Sequence, residues 1–256
     1  MLSVLLALAA GATPAPVLPS FAGVTLGQTA QQLVAERGDP LGDREQSGET
    51  VYLYLTPAGN LEQFMHVKAG RVIAVAVSAT PPQDPSQTPT ATTALPSALG
   101  VTLGDPATAV AAIRKDRFVR TDQTPDGPSS IYSDNHGLFY AFLIVNGKVA
   151  QITAQMSNNW VAFLGPSNAK PALHDGASFA DAIVIKAANE EAGVRAEYAY
   201  LALHACDASG AGKWIAPQQS LVTNGGKNYD KVAARCSVNN SSRDFYFDVS
   251  SFLGKT

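Results

Sequence analysis

Five carboxylates and three phenols crowd the last third of the chain: Glu190, Glu191, Glu197, Asp230 and Asp248 with Tyr198, Tyr229 and Tyr246. Paired carboxylates in one cleft, one held protonated by its surroundings, are what acid–base hydrolysis of a glycan or peptide needs. The same residues also fit plain structure. Glu190 and Glu191 follow Asn189 at a helix start, where the dipole favours negative charge. Asp244, Tyr246 and Asp248 alternate with Phe245, Phe247 and Val249 as in a half-buried strand. The cluster becomes chemistry only if at least two of Glu190, Glu197, Asp230 and Asp248 meet.

Other chemical patterns are thinner. His66, His136, His174 and His204 share no metal-ligand spacing with one another or with a cysteine; the sequence calls for no metal and no cofactor. His174-Asp175 beside Ser178 has the letters of a Ser-His-Asp set but no nucleophile elbow. Ser209-Gly-Ala-Gly-Lys213 lacks the first glycine and the Ser/Thr of a phosphate loop and follows a helix instead of opening one. The two cysteines, Cys206 and Cys236, read as a disulfide; two separate buried thiols are the alternative. The 256 residues are 46% hydrophobic and 15% charged, with a formal net charge of −3. That balance fills a core and excludes the basic face of a nucleic-acid binder; no run of like charge suits a membrane surface.

The elements that would position these residues follow from periodicity. Leu2 to Ala10 is an apolar run of secretory-leader length, followed by Ala10-Gly-Ala12, with no positive residue before it. It is too short to span a bilayer, so a cleaved signal and lead-in are expected over 1–19, and no integral membrane segment in the mature chain. Gln28 to Arg37 reads as a helix closed by Gly38 and Pro40. Val51–Leu55, Leu61–Val67 and Val72–Val77 read as a three-stranded meander. A Pro/Thr-rich linker fills 78–97. Asp105 and Pro106 then look like the cap and first position of a second helix, followed by strands at Ile131–Tyr132, Leu138–Val145 and Val149–Ala154. After a connection over 157–175, residues 176–256 read as β-α-β-β-β, with Val194, Tyr198, Leu201 and Ala205 recurring along the helix.

Gly23-Val-Thr-Leu-Gly27 recurs as Gly100-Val-Thr-Leu-Gly104, and Gly70-Arg-Val72 returns as Gly147-Lys-Val149 at the same interval. The expected fold class is therefore α+β, with two tandem helix-plus-antiparallel-meander repeats (20–77 and 98–156) and a small C-terminal domain. Gly23, Thr25, Gly38, Pro40, Tyr52, Gly70 and Val72, with Gly100, Thr102, Gly147 and Val149, carry a resemblance to the module of the β-lactamase-inhibitor-protein fold. The same residues resemble the small outer-membrane assembly lipoproteins of the SmpA type. Residues 175–248 are similar to an uncharacterised bacterial domain. The lipoproteins carry an acylated cysteine at their mature start, and none lies near residue 12 here. The second copy also lacks the Gly-x-Pro turn, with Arg117-Phe-Val-Arg120 in its place.

The resemblance implies an extracytoplasmic, non-enzymatic protein that binds another protein through exposed sheet faces. The expectation is a periplasmic or secreted binding or scaffold protein of the bacterial cell envelope, with an inhibitor-like module as one form of it, an envelope protein as partner and no nucleic acid. Tyr52, Tyr54, Tyr132, Tyr140 and Trp160 are the candidate anchors, since aromatics dominate such interfaces; the same residues could fill the core. The alternative is a hydrolase acting through the carboxylate and tyrosine cluster.

Overall fold

The computed structural model describes residues 18–79 and 95–256. The expected leader lies almost wholly, and the expected linker mostly, outside the described residues. Ser20–Phe21 (β1) and Val24–Thr25 (β2) form a short hairpin ahead of helix α1, Ala30–Arg37. Thr29 caps α1 reciprocally with Gln32, satisfying two N-terminal amides that the helix itself leaves free. The strands Gly42–Gln46 (β3), Glu49–Leu55 (β4), Leu61–Lys68 (β5) and Arg71–Ala79 (β6) follow. A second hairpin, Ser97–Ala98 (β7) with Val101–Thr102 (β8), precedes helix α2, Ala107–Ala111. Then come Phe118–Thr124 (β9), Gly127–Ser133 (β10), Leu138–Val145 (β11), Lys148–Met156 (β12) and helix α3, Asn158–Leu164. Ile183–Val184 (β13), helix α4 (Glu190–Leu203), Trp214–Asn224 (β14), Lys227–Cys236 (β15) and Ser242–Asp248 (β16) complete the order.

The expected α+β pair of helix-plus-meander repeats is corrected by the topology. Strand makes up 46% and helix 17%, so the protein is mostly β. One antiparallel sheet runs β3-β4-β5-β6-β12-β11-β10-β9. The seam is the β6–β12 ladder, in which Val77 faces Ile152, Ala76 faces Thr153 and Val75 faces Ala154. One core lies under the whole sheet, from Phe21 and Leu33 through Met65 and Val75 to Phe142 and Ile152. The reason is physical: β6 reads Val-Ile-Ala-Val-Ala-Val and is buried along Val72–Val77, so leaving it as an edge would expose apolar side chains and unpaired amides together. The helices on this core are short, eight residues in α1 and five in α2. Asp105 does not cap α2; its carboxylate accepts the Thr102 amide at 2.8 Å, and Pro106 stands at the cap without a side-chain bond.

Residues 182–252 build a second core around a four-stranded sheet ordered β13-β16-β15-β14, with α4 across one face. The stripe that α4 buries is Ala192, Gly193, Ala196, Glu197, Tyr200 and Leu201, whereas Val194 and Tyr198 are exposed. Gly193 decides this rotation, because a Cβ there would run into the Phe252 ring. The expected disulfide is present between Cys206 and Cys236, joining the end of α4 to the end of β15. Among the described residues no helix is long and apolar enough to cross a membrane.

The two cores meet at the turn after α1. Gly38 pairs with Ile185 as an isolated bridge, and its positive φ brings its Cα against the Val184 carbonyl, where any Cβ would clash. Asp39 donates its amide to Val184 O at 2.9 Å. Its side chain, 2% exposed, accepts the Val184 amide at 2.8 Å and His174 Nδ1 at 2.9 Å.

Candidate functional site

The five candidate anchors do not stand on a free surface. Tyr52, Tyr54 and Tyr132 are 6%, 4% and 6% exposed and belong to the main core, so their proposed role as interface anchors is corrected. Their strands turn these positions toward the helices, and the phenol oxygens find carbonyls there. Tyr54 donates to Gly38 O at 3.2 Å and Tyr132 to Val110 O at 3.0 Å. Burial, with help from Asp39, holds the Tyr54 phenol far above its ordinary value. Tyr140 and Trp160 are half-buried and pack on the same core; Tyr140 meets the edge of Phe21, and Trp160 Nε1 donates to His136 O. Tyr132→Phe should lose about 1 kcal/mol in a urea titration, the worth of one buried hydrogen bond. An unchanged midpoint would show that the Val110 carbonyl finds another donor.

The opposite face of the large sheet carries a different surface. Cross-strand register lines up Leu53, Phe64, Ala76, Thr153, Ala141 and Ile131 in one row. The flanking rows place His66, Ala74, Gln155 and Phe139 on one side and Glu62, Ser78, Gln151 and Leu143 on the other. Since residues two apart share a face, all of these point away from the main core. On this face β6 presents small side chains, with Ala74 and Ala76 buried, while β12 presents Thr153 between Gln151 and Gln155, and larger apolar residues stand on β5 and β11. Phe64, Phe139, Leu143, Leu53 and Ile131 are half-exposed and belong to neither core. Phe64 and His66 on β5 thus flank the seam on one side, and Phe139 and Leu143 on β11 flank it on the other. Periodicity could have found this face: its residues alternate with Val75, Val77, Ile152 and Ala154 along β6 and β12.

The carboxylates divide into separate fates. Glu190 accepts the Gly254 amide at the start of α4. Glu191 pairs with Arg195, and Asp248 with Lys227 at 2.8 Å. Glu197 and Asp230 do come together. Gln219 Nε2 donates to Glu197 Oε2 at 3.1 Å and to Asp230 Oδ2 at 2.7 Å, while the Tyr198 hydroxyl reaches Gln219 Oε1 at 3.4 Å. Glu197 is 0% exposed. Tyr229 and Tyr246 pack against Phe179 on the far face of that sheet, away from this pair. His174 pairs with Asp39 rather than with a serine, and Ser178 accepts the Asp181 amide. The 207–212 loop closes on Asp207, whose carboxylate accepts the Gly212 amide at 2.7 Å. A cavity of about 220 Å³ opens where the two cores meet, between Tyr54, Leu55 and Pro57 on one side and Ile185, Ala192 and Ala196 on the other. No group of three or more metal-ligating side chains gathers among the described residues.

No family model and no curated protein matches this chain. Among solved structures, it is similar to a cysteine-rich secretory protein from Staphylococcus aureus subsp. aureus Mu50, at 9% identity and a TM-score of 0.32 over 54% of this chain and 46% of that one. A second, an extracellular protein containing an SCP domain from Bacillus anthracis str. Ames, shares 10% identity at a TM-score of 0.33, over 54% and 45% of the respective chains. The chain spans less than half the length of either, and likenesses this loose carry no argument about fold or activity.

Proposed function

We propose that this chain is an exported, non-enzymatic binding protein that takes a protein partner of the cell envelope on the outward sheet face along the β6–β12 seam. The observation that carries the reading is the outward face of the sheet: partly exposed Phe64, Phe139, Leu143, Leu53 and Ile131, five large apolar residues that belong to neither core. A contiguous apolar surface with a polar rim is the common mark of a protein interface. The polar groups interspersed on this face are Glu62, His66, Gln151 and Gln155. Export is supported by the Cys206–Cys236 disulfide, a bond that persists in oxidising compartments. The likeness to inhibitor-type modules in the residues around Gly23 and Gly70 points toward binding as well. The hydrolase reading is weaker, because Glu197 has no surface on which to meet a substrate.

Phe64→Ser and Leu143→Ser test the reading. Capture of an envelope partner should fall about tenfold or more, as for the loss of an aromatic or aliphatic hot spot, with the melting temperature nearly unchanged. Tyr54→Ala, on the core face, should instead lower the melting temperature. Variants of the outward face that capture the same partner as well as the parent would overturn the proposal.

A further inference from the structure

We propose that Glu197, Asp230 and Gln219 form an acid-held clasp that fixes helix α4 to the β14–β15 hairpin and releases it in alkaline solution. Each member comes from a different element: Glu197 from α4, Gln219 from β14 and Asp230 from β15. The Gln219 amide donates to both carboxyl groups, one hydrogen to each. With those two bonds its donors are spent, and Glu197 Oε1 is left buried with no donor pointing at it. A proton on Glu197 resolves this, since the acid can then donate to Asp230 and the three side chains close into one bonded set.

The surroundings offer no other way to carry a second negative charge. Asp230 is the one charged group facing Glu197 from β15, and β14 presents the neutral Gln219. On β16 the neighbour opposite Asp230 is Phe247, and the chain after β16 lays Phe252 against Gly193. On α4 itself Arg195 is turned to Glu191 and the Ala58 carbonyl. Burial first, then the Asp230 charge and its hydrogen bond, push the Glu197 carboxyl from 4.5 up to about 8. Between those two values the folded chain holds a proton that the unfolded chain has given up. Stability contributed by the clasp is therefore highest at acid pH, falls as pH rises through that window and is lost above about 8. Such a setting places the release on the mildly alkaline side, within the range that the surroundings of an exported protein can reach.

The test uses the full mature chain with its disulfide intact. Amide exchange of α4 and β14 is followed from pH 6 to 9, corrected for the intrinsic pH dependence of exchange and referenced to β5 and β6. The parent should lose up to about a hundredfold protection in α4 and β14 relative to the large sheet. Glu197→Gln, neutral at every pH, should hold its protection across the range. Asp230→Asn, which removes the like charge, should move the parent's transition to lower pH. A Glu197→Gln chain that follows the parent's profile would overturn the clasp. If that variant does not fold, an Asp230→Asn chain whose transition stays in place would overturn it equally.

Discussion

Replacing Cys206 and Cys236 by serine together should cost the folded chain about 3–4 kcal/mol, the loop-closure value for a bridge across 30 residues. The bond closes all of β14 and β15 into one loop, so the unfolded chain gains its freedom just where the second sheet must form. The loss should therefore fall on the C-terminal core. It is read by urea titration of the double variant, and of the parent with and without reductant. Equal midpoints would show that the α4–sheet packing around Tyr200, Phe245 and Phe247 holds without the cross-link. Gly212 belongs to the same prediction, since a Cβ there would press on Cys206 Sγ.

Asp39→Ala should be as damaging, at about 4 kcal/mol. Hydrogen bonds to a charged group are worth about 1.5–3 kcal/mol each, and a buried amide left without an acceptor adds its own desolvation cost. The side chain accepts from the Val184 amide and from both the amide and Nδ1 of His174. These contacts hold the second core against the turn that ends α1. Calorimetry should show the effect as a split: one unfolding transition in the parent, and two in the variant, with the C-terminal core melting first. Asp39→Asn retains an oxygen for the Val184 amide and should recover part of the loss. A single unshifted transition in Asp39→Ala would mean that the Gly38–Ile185 bridge and the backbone bond from Asp39 to Val184 suffice.

Much of the local structure was legible and the assembly was not. Strands β4, β5, β6, β11 and β12 carry alternating or continuous apolar residues and stand where periodicity puts them. Strands β3 and β9 were missed because Gly-Asp-Arg-Glu-Gln and Phe-Val-Arg-Thr-Asp-Gln-Thr have no buried face to impose a period. Joining all eight into one sheet depends on Ala76 meeting Thr153, a pairing set by tertiary packing that no local window contains. The α4 stripe was misread because its buried side is made of small residues, Ala192, Gly193 and Ala196, and hydrophobicity alone favoured Val194 and Tyr198. Glu197 and Asp230 were visible as members of a carboxylate group, but not as the pair. A glutamate one turn beyond Gly193, on the face where the backbone approaches its neighbour, was the available signal. The tyrosines were legible as strand residues; which face they took was settled by the helices, and the outward face with Phe64 and Leu143 went unread. Asp39 drew no reading from the sequence, since its partners His174 and Val184 lie far along the chain.

The seam between β6 and β12 also bears on aggregation. A run such as Val72–Val77, rich in β-branched residues and free of charge and proline, is the type of segment that stacks into cross-β fibrils when its backbone is left open. Here both of its sides are taken, by β5 and by β12. The strands left at the rims are β3, with Asp43, Arg44 and Glu45 exposed, and β9, with Arg120 exposed beside the half-exposed Asp122. A further strand adding at either rim would have to set its own side chains against these charges. The ladder that joins the two halves thus takes a charge-free, β-branched stretch out of reach and leaves charge-bearing strands at the rims, with Phe118 and Val119 of β9 the apolar residues exposed there.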